Sequence, residues 1–183
     1  MMTVRVEREI LSKEEWFETF NVVNYYEKLL DILEQDLNFD EVQEVYYEEN
    51  LSNNDMKVRI IAERPLEGGF NDTGADTKLR FKIKYFNQGP LKDKEGGGGL
   101  YGPMELDLDV YLIVDMPGKD KWHHSFLRRI WFNNVYRRQF LYWVEFAQEE
   151  ARRYLNETRA YFGMEPVNRK PRRQRYEPLE HSL

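Results

Sequence analysis

Two stretches of the chain alternate hydrophobic and polar positions with a period of two, and each predicts a β-strand. Residues 104–116 direct a methionine, leucines and valines to one face. Residues 78–86 do the same with Leu79, Phe81, Ile83 and Tyr85. Alternation of this kind is typical of an antiparallel sheet with one side on the core and the other in water.

The polar faces of these two strands carry opposite charges. The first has a basic row of Lys78, Arg80, Lys82 and Lys84, and the second has an acidic row of Glu105, Asp107, Asp109 and Asp115. Cross-strand pairs of opposite charge stabilise a sheet by roughly 0.2–1 kcal/mol each. The sequence therefore predicts that the two strands pair as a hairpin. A flexible loop over residues 87–103, with a glycine run at 96–99, would close it.

Weaker strand signals precede this hairpin. Residues 2–10 alternate weakly, and residues 41–49 and 56–64 contain valine, isoleucine or tyrosine among polar residues. Pro65 ends the last of these segments because proline cannot donate a hydrogen bond to a sheet ladder. We therefore expect an antiparallel sheet of about five strands.

Two further segments have the periodicity of helices. The first begins at Ser12, where Ser12 and Glu15 match a capping box, and continues to about residue 37. The second spans roughly residues 123–162 and carries a stripe of aromatic and aliphatic side chains. Gly163 is suited to cap its C-terminus.

These elements predict an α+β fold. We expect an antiparallel sheet of about five strands packed by an N-terminal helix and a long C-terminal helix. Residues 1–163 would form a single domain, and residues 164–183 a basic, flexible tail.

The composition supports a folded domain and excludes several kinds of chemistry. Of the 183 residues, 41% are hydrophobic and 15% are aromatic, a content that disordered chains lack. Because cysteine is absent, disulfides, thiolate zinc sites and cysteine nucleophiles are excluded. Apolar runs of signal-peptide or membrane-span length are also absent from the sequence, so we expect a cytoplasmic protein.

The net charge of −6 conceals an uneven distribution along the chain. Residues 1–122 carry a net charge of −11, and residues 123–176 carry +7. Arginine is suited to bind carboxylates, phosphates and aromatic faces. The predicted anion- or nucleic-acid-binding residues are Arg128, Arg129, Arg137, Arg138, Arg169, Lys170, Arg172, Arg173 and Arg175. The alternative is intramolecular, with the positive helix docked on its own acidic domain.

Other candidates for chemistry have simpler explanations. Asp107 and Asp109 could chelate a divalent cation with a neighbouring carboxylate, but the charge ladder already accounts for them. His123 and His124 are adjacent on a helix and cannot readily share one metal ion. The glycine run lacks the Gly-Lys-Ser/Thr ending of a phosphate-binding loop. We therefore expect no catalytic residues, no metal site and no cofactor.

A groove between the sheet and the closing helix is the best candidate for a ligand site. Phe81 and Tyr85 from the sheet, with Trp131 and Trp143 from the helix, could line an apolar cavity there. The alternative is that these four aromatic side chains are ordinary core residues.

The order of elements is strand, helix, antiparallel strands and long final helix. It resembles the START/polyketide-cyclase helix-grip superfamily. That resemblance implies a curved sheet wrapped around the final helix, with a ligand held between them. The segment from Trp122-His123-His124 to Tyr136-Arg137-Arg138 also resembles an uncharacterised conserved archaeal family, which implies no activity.

These observations favour a non-catalytic binding or assembly protein. Its sheet–helix groove would take an apolar small molecule or a protein partner, and self-association into a homo-oligomer is left open. The alternative function is nucleic-acid or ribonucleoprotein binding through the arginine-rich C-terminal helix and tail.

Overall fold

The fold is built on a five-stranded antiparallel sheet. The computed structural model describes residues 3–17, 22–50, 55–66, 76–87, 92–93, 100–101, 103–117 and 137–166. The strands are β1 (Thr3–Phe17), β2 (Glu41–Asn50), β3 (Asp55–Pro65), β4 (Asp76–Asn87), β5 (Lys92–Asp93), β6 (Leu100–Tyr101) and β7 (Met104–Pro117). Helix α1 (Val22–Asp31) continues as a π-helical turn (Ile32–Asp36), and helix α2 spans Arg137–Tyr161. The order across the sheet is β1-β7-β4-β3-β2, and β5 pairs separately with β6.

The predicted fold class is confirmed, since the described residues form an α+β arrangement of this sheet, a short helix and a C-terminal helix. The predicted hairpin is also confirmed. Strand β4 pairs with β7 in antiparallel register, with Lys82 opposite Asp109 and Lys84 opposite Asp107. The strands predicted at 41–49 and 56–64 correspond to β2 and β3, which pair with each other.

The first predicted helix is confirmed from Val22 to Asp36, but its predicted start at Ser12 is wrong, because β1 continues to Phe17. Ser12 and Glu15 lie in the strand, opposite Asp109 and Leu106 of β7. A bulge between Glu9 and Leu11 shifts the alternation by one residue, which conceals the period of two in the sequence. Pairing along the whole of β7 outweighs the local helix signal.

Other predicted boundaries are only partly described. The loop predicted at 87–103 contains the two short strands β5 and β6, so it is not without secondary structure. Its glycine run lies outside the described residues. The final helix is confirmed from Arg137 to Tyr161, and its predicted start at residue 123 lies outside them.

The core lies between the inner face of the sheet and the two helices. Strand β4 buries every second residue, and its buried side chains pack with those of α1 and α2 in one hydrophobic cluster. Gly163 ends α2 with φ of 70°, and the amides of Gly163 and Met164 donate to the carbonyls of Ala160 and Arg159. This pair of hydrogen bonds is a Schellman motif, as the sequence predicted for a glycine cap.

The outer face of the sheet carries a network of ion pairs. Arg80 contacts both Glu7 of β1 and Glu63 of β3, at 3.2 and 2.6 Å. Lys84 Nζ lies 4.0 Å from Asp107 Oδ2. The basic side chains of β4 therefore form ion pairs with residues of three strands, β1, β3 and β7. Among the described helices, none combines the length and hydropathy that a bilayer span requires.

Candidate functional site

Four residues of the sheet and of α2 have buried polar side-chain atoms that make no hydrogen bond within the described part of the chain. They are Arg64 of β3, Thr77 of β4, and Trp143 and Glu150 of α2. Within the described part of the chain, Arg64 Nε and Nη2, Thr77 Oγ1, Trp143 Nε1 and Glu150 Oε2 have no hydrogen-bond partner. Most buried polar groups in folded proteins are paired, so four such residues in one sheet and one helix require an explanation. We call this set the polar corner.

Arg64 is the central residue of the polar corner. Its guanidinium lies between two aromatic rings, with Cζ 5.4 Å from the ring centroid of Phe39 and 5.3 Å from that of Phe146. Nη1 donates a hydrogen bond to the backbone carbonyl of Leu37. Nε and Nη2 form the edge through which arginine binds planar groups, and this edge makes no hydrogen bond.

Helix α2 supplies an acceptor and a donor to the polar corner. Glu150 Oε2 lies 3.2 Å from Arg64 Nη2, which is close enough for an ion pair but without hydrogen-bond geometry. Trp143 is seven residues earlier, so it lies two turns away on the same side of the helix. Its ring is 5.6 Å from that of Phe146, which also packs on Arg64.

Strand β4 supplies a hydroxyl to the same end of the sheet. Thr77 lies two positions before Leu79, which is the register partner of Arg64. Its carbonyl accepts the amide of Leu66, which follows β3, and this bond holds the strand ends together. The side chain is 4% exposed, so its unpaired Oγ1 is shielded from bulk water.

The donors and acceptors of the polar corner limit what could bind there. Arg64 and Glu150 carry opposite charges at 3.2 Å, so the pair is neutral as a unit. Arg64 and Trp143 offer unpaired N–H donors, Glu150 offers an acceptor, and Thr77 offers a hydroxyl that can do either. Arg64 and Glu150 together therefore offer a donor and an acceptor to a neutral polar group, and Trp143 offers a further donor two helical turns away.

The predicted ligand-binding residues that the structure describes lie in the core, with Trp143 in the polar corner, Phe81 packed on Phe39 beside it, and Tyr85 farther away against Tyr25. Phe81 and Tyr85 are fully buried in β4, and Trp143 is 7% exposed. Phe81 packs against Phe39 and Tyr154, with centroid distances of 4.8 and 6.1 Å. Trp131 lies outside the described residues.

A hydroxyl cluster occupies the other end of the same interface. The hydroxyl of Tyr25 lies 3.0 Å from that of Tyr154 and 3.2 Å from that of Thr158, and all three residues are fully buried. Burial raises the pKa of Tyr25 to about 12 and raises the pKa of Tyr154 as well. These hydroxyls are paired with one another, so this cluster stabilises the packing of α1 against α2.

Most of the predicted anion-binding residues lie outside the residues that the structure describes. Arg137 and Arg138 begin α2, but their side chains are not described. The others lie outside the described residues, namely Arg128, Arg129, Arg169, Lys170, Arg172, Arg173 and Arg175. Two other arginines of α2 make intramolecular ion pairs, Arg152 with Glu149 and Arg159 with Glu15. Binding of nucleic acid through this helix and tail stays a prediction.

The acidic row of β7 is divided among several partners. Asp115 accepts two hydrogen bonds from Arg5, which lowers its pKa, and Asp109 accepts one from Ser12. Asp107 lies with Glu14 and Glu105, and one oxygen of each is within 4.8 Å of the others. Desolvation raises the pKa of Asp107. Carboxylate clusters of this kind are common on exposed sheets, and Lys84 lies beside this one.

Comparison of the chain with models of known protein families, with curated proteins and with solved structures gave no match. The helix-grip and archaeal resemblances therefore stay predictions.

Sequence reasoning missed three residues of the polar corner, namely Arg64, Thr77 and Glu150. A signal for Arg64 was present, because it continues the inward-facing positions Met56, Val58, Ile60 and Ala62 of β3. A charged residue at the end of such a series is unusual unless it has a buried partner. The identity of that partner depends on the packing of α2, which the sequence does not specify.

Proposed function

We propose that the chain is a binding protein that holds a small, largely apolar ligand between its sheet and helix α2. The observation that supports this proposal is the set of buried polar atoms in the polar corner that make no hydrogen bond, two of which, Arg64 Nη2 and Glu150 Oε2, form an ion pair. A buried donor or acceptor left without a partner costs roughly 1–3 kcal/mol. A bound molecule that pairs with these atoms would remove that cost. Most of the free energy of ligand binding would then come from contacts with the aromatic rings around it.

The ligand proposed for this site has a neutral head with one hydrogen-bond acceptor and one donor, as in a carboxamide. Its acceptor would receive an N–H group from Arg64 and its donor would bind Glu150 Oε2, while Trp143, two helical turns away, would donate to a further acceptor of the ligand. An anionic head would lie beside the carboxylate of Glu150, and a cationic head beside the guanidinium of Arg64. Burial strengthens both repulsions, which favours a neutral head.

The helix-grip resemblance supports the same location. That resemblance predicted a ligand between the sheet and the final helix, and the polar corner joins β3 and β4 to α2. The role is binding without catalysis, because Arg64 is positioned by Leu37 and Glu150 in a neutral, aromatic environment. Such an environment suits retention of a molecule more than proton transfer to it.

Native mass spectrometry of freshly purified protein tests this proposal. We expect a population heavier than the chain by the mass of a small molecule, which organic extraction would release for identification. Trp143→Phe keeps an aromatic ring but removes the N–H, so the loaded fraction should fall several-fold. The matched control is Tyr142→Phe, because Tyr142 is the neighbouring residue of α2 and its side chain is 59% exposed.

Two results would contradict the proposal. One is protein of the bare chain mass that also fails to bind a panel of carboxamides with hydrocarbon chains. The other is an equal loaded fraction in the Trp143→Phe and Tyr142→Phe variants. In either case the unpaired atoms would be solvated by buried water.

A further inference from the structure

Strand β2 forms one edge of the sheet. It pairs with β3 on one side, and the strand order places no described strand on its other side. In an antiparallel pair, alternate residues direct their backbone N–H and C=O groups away from the partner strand. The outer side of β2 therefore presents backbone groups that an added strand could bind.

Three large hydrophobic side chains are exposed at consecutive positions of this edge. Val45, Tyr46 and Tyr47 are 51%, 45% and 43% exposed. A bulge between Glu44 and Tyr46 places Val45 outside the regular ladder with β3. Most large hydrophobic residues that are exposed in the described part of the chain belong to this short segment. Apolar side chains concentrated in this way are typical of interaction surfaces.

The two tyrosines are held in place by neighbouring side chains. The ring of Tyr47 packs edge-on against Tyr26 of α1 at a centroid distance of 6.0 Å. The hydroxyl of Tyr46 donates to Glu48, and that of Tyr26 donates to Glu44 at 2.6 Å. A surface that is ordered before binding loses less conformational entropy when a partner arrives.

The charge of β2 determines which kind of partner fits. Its ten residues include Glu41, Glu44, Glu48 and Glu49 and no basic residue. If β2 paired with β2 of a second copy, acidic residues would face acidic residues, which is destabilising. A strand with basic side chains would face opposite charges. The net charge of −11 over residues 1–122 would also attract such a segment before contact.

We propose that the free edge of β2 binds an extended, basic segment of a partner protein by strand addition. Backbone hydrogen bonds to β2 would supply affinity, and the glutamates would select lysine or arginine in the added strand. On the outer face the basic side chains would lie beside Glu41, Tyr46 and Glu48, and the apolar side chains between them would face the side of Tyr47. This inference is independent of the polar corner, which lies on the inner face of the sheet.

A labelled peptide of roughly ten residues, a usual strand length, tests the proposal by fluorescence anisotropy with the full chain. The peptide alternates arginine with valine and threonine. We expect saturable binding, together with slower hydrogen exchange of β2 amides in the complex. A peptide with prolines at alternate positions has the same charge but cannot complete a ladder, so it should bind at least tenfold more weakly. Equal binding of both peptides would overturn strand addition.

Charge-reversal variants of the protein test whether the basic peptide binds at β2. Glu41→Lys places a lysine opposite Glu63 of β3, so the fold should tolerate it. We expect this variant to bind the basic peptide roughly three- to tenfold more weakly. The control is Glu145→Lys, an equal change of net charge at an exposed position of α2. If both variants weakened peptide binding equally, only net charge would matter, and the proposed binding site at β2 would be wrong.

Light scattering of the protein without peptide distinguishes binding of a basic partner at β2 from pairing of β2 with a second copy of the chain. We expect its mass to be independent of concentration over the range used for peptide binding. A dimer that dissociates when the basic peptide is added would mean that β2 pairs with another copy. That result would overturn the assignment of a basic partner.

Discussion

If the polar corner holds a ligand, as we propose, a buried side chain without a hydrogen-bond partner has opposite effects on stability and on binding. Among the described residues, the hydroxyl of Thr77 is shielded from water and has no hydrogen-bond partner. In the loaded protein, the same hydroxyl would be satisfied by the bound molecule. Stability and binding therefore respond differently to its removal.

Thr77→Val replaces this hydroxyl by a methyl group of similar size. The ligand-free variant should be more stable by about 1 kcal/mol, because an unpaired polar group is no longer buried. Its fraction of loaded protein should fall below that of the unsubstituted chain. Urea denaturation after ligand extraction gives the first quantity, and native mass spectrometry gives the second. Destabilisation of the extracted protein would show that Oγ1 already has a partner.

Glu15 represents the opposite case, a buried carboxylate that is fully engaged. It is 7% exposed, accepts Arg159 Nε at 2.9 Å and is also paired with Lys13. Glu15→Gln should lower the free energy of unfolding by about 1–3 kcal/mol, because both cations lose their partner. The control is Glu149→Gln, since Glu149 is 67% exposed and pairs with its helical neighbour Arg152. Equal effects in urea denaturation would contradict a special role for Glu15.

At the scale of elements, the ends of helices and strands follow two different rules. The C-terminus of α2 is specified locally, because Gly163 has a positive φ and its amide satisfies a carbonyl of the last turn. The length of β1 is specified at a distance, because Ser12 to Phe17 extend only by pairing with β7. Local signals therefore predicted the first end correctly and the second wrongly.

The cap of α2 can be tested by Gly163→Ala. A Cβ at this position meets no other atom within 4 Å, so the backbone conformation alone opposes the substitution. The left-handed conformation costs a residue with a side chain roughly 1–2 kcal/mol. We expect the thermal midpoint to fall, and Gly163→Asn to lower it less because asparagine tolerates this region better. An unchanged midpoint would show that the last turn contributes little to stability.

At the scale of the whole molecule, the buried tyrosines couple folding to alkaline pH. Tyr25 has a pKa of about 12 in the folded chain, against an ordinary value of 10. Below pH 10 it is protonated in both states, so it gives stability no pH dependence. As pH rises further, the unfolded chain loses this proton first, and the free energy of unfolding falls by about 2 kcal/mol by pH 12.

Denaturation in urea between pH 8 and 12 measures this effect, with the expected fall beginning near the ordinary tyrosine pKa of about 10. Tyr25→Phe removes one titrating hydroxyl from the cluster and should flatten the fall. Tyr142→Phe removes an exposed hydroxyl and should leave the slope nearly unchanged. Identical slopes for the two variants would contradict a link between burial of Tyr25 and alkaline unfolding.

The fold class could be predicted from the sequence because the strongest strands, β4 and β7, each bury one face along their whole length. The Glu9/Leu11 bulge could not, since it shifts the alternation by one residue in β1. For the candidate site, Trp143 was found by its aromatic type. Arg64 and Glu150 were missed because they are distant in sequence and meet only when α2 packs on the sheet.

Among the described strands, β1 forms the second edge of the sheet, and this has a consequence for assembly. A chain with two open edges could add to itself head to tail, β2 of one copy on β1 of the next, and such contacts need not close. The glutamates of β2 restrain this reaction in registers that place them beside Glu7, Glu9 or Glu14 of β1, but not in registers that place them beside its Arg5, Arg8 or Lys13. Changing Glu41, Glu44 and Glu48 to glutamine would remove the repulsion in the first set of registers and favour growth into filaments through them.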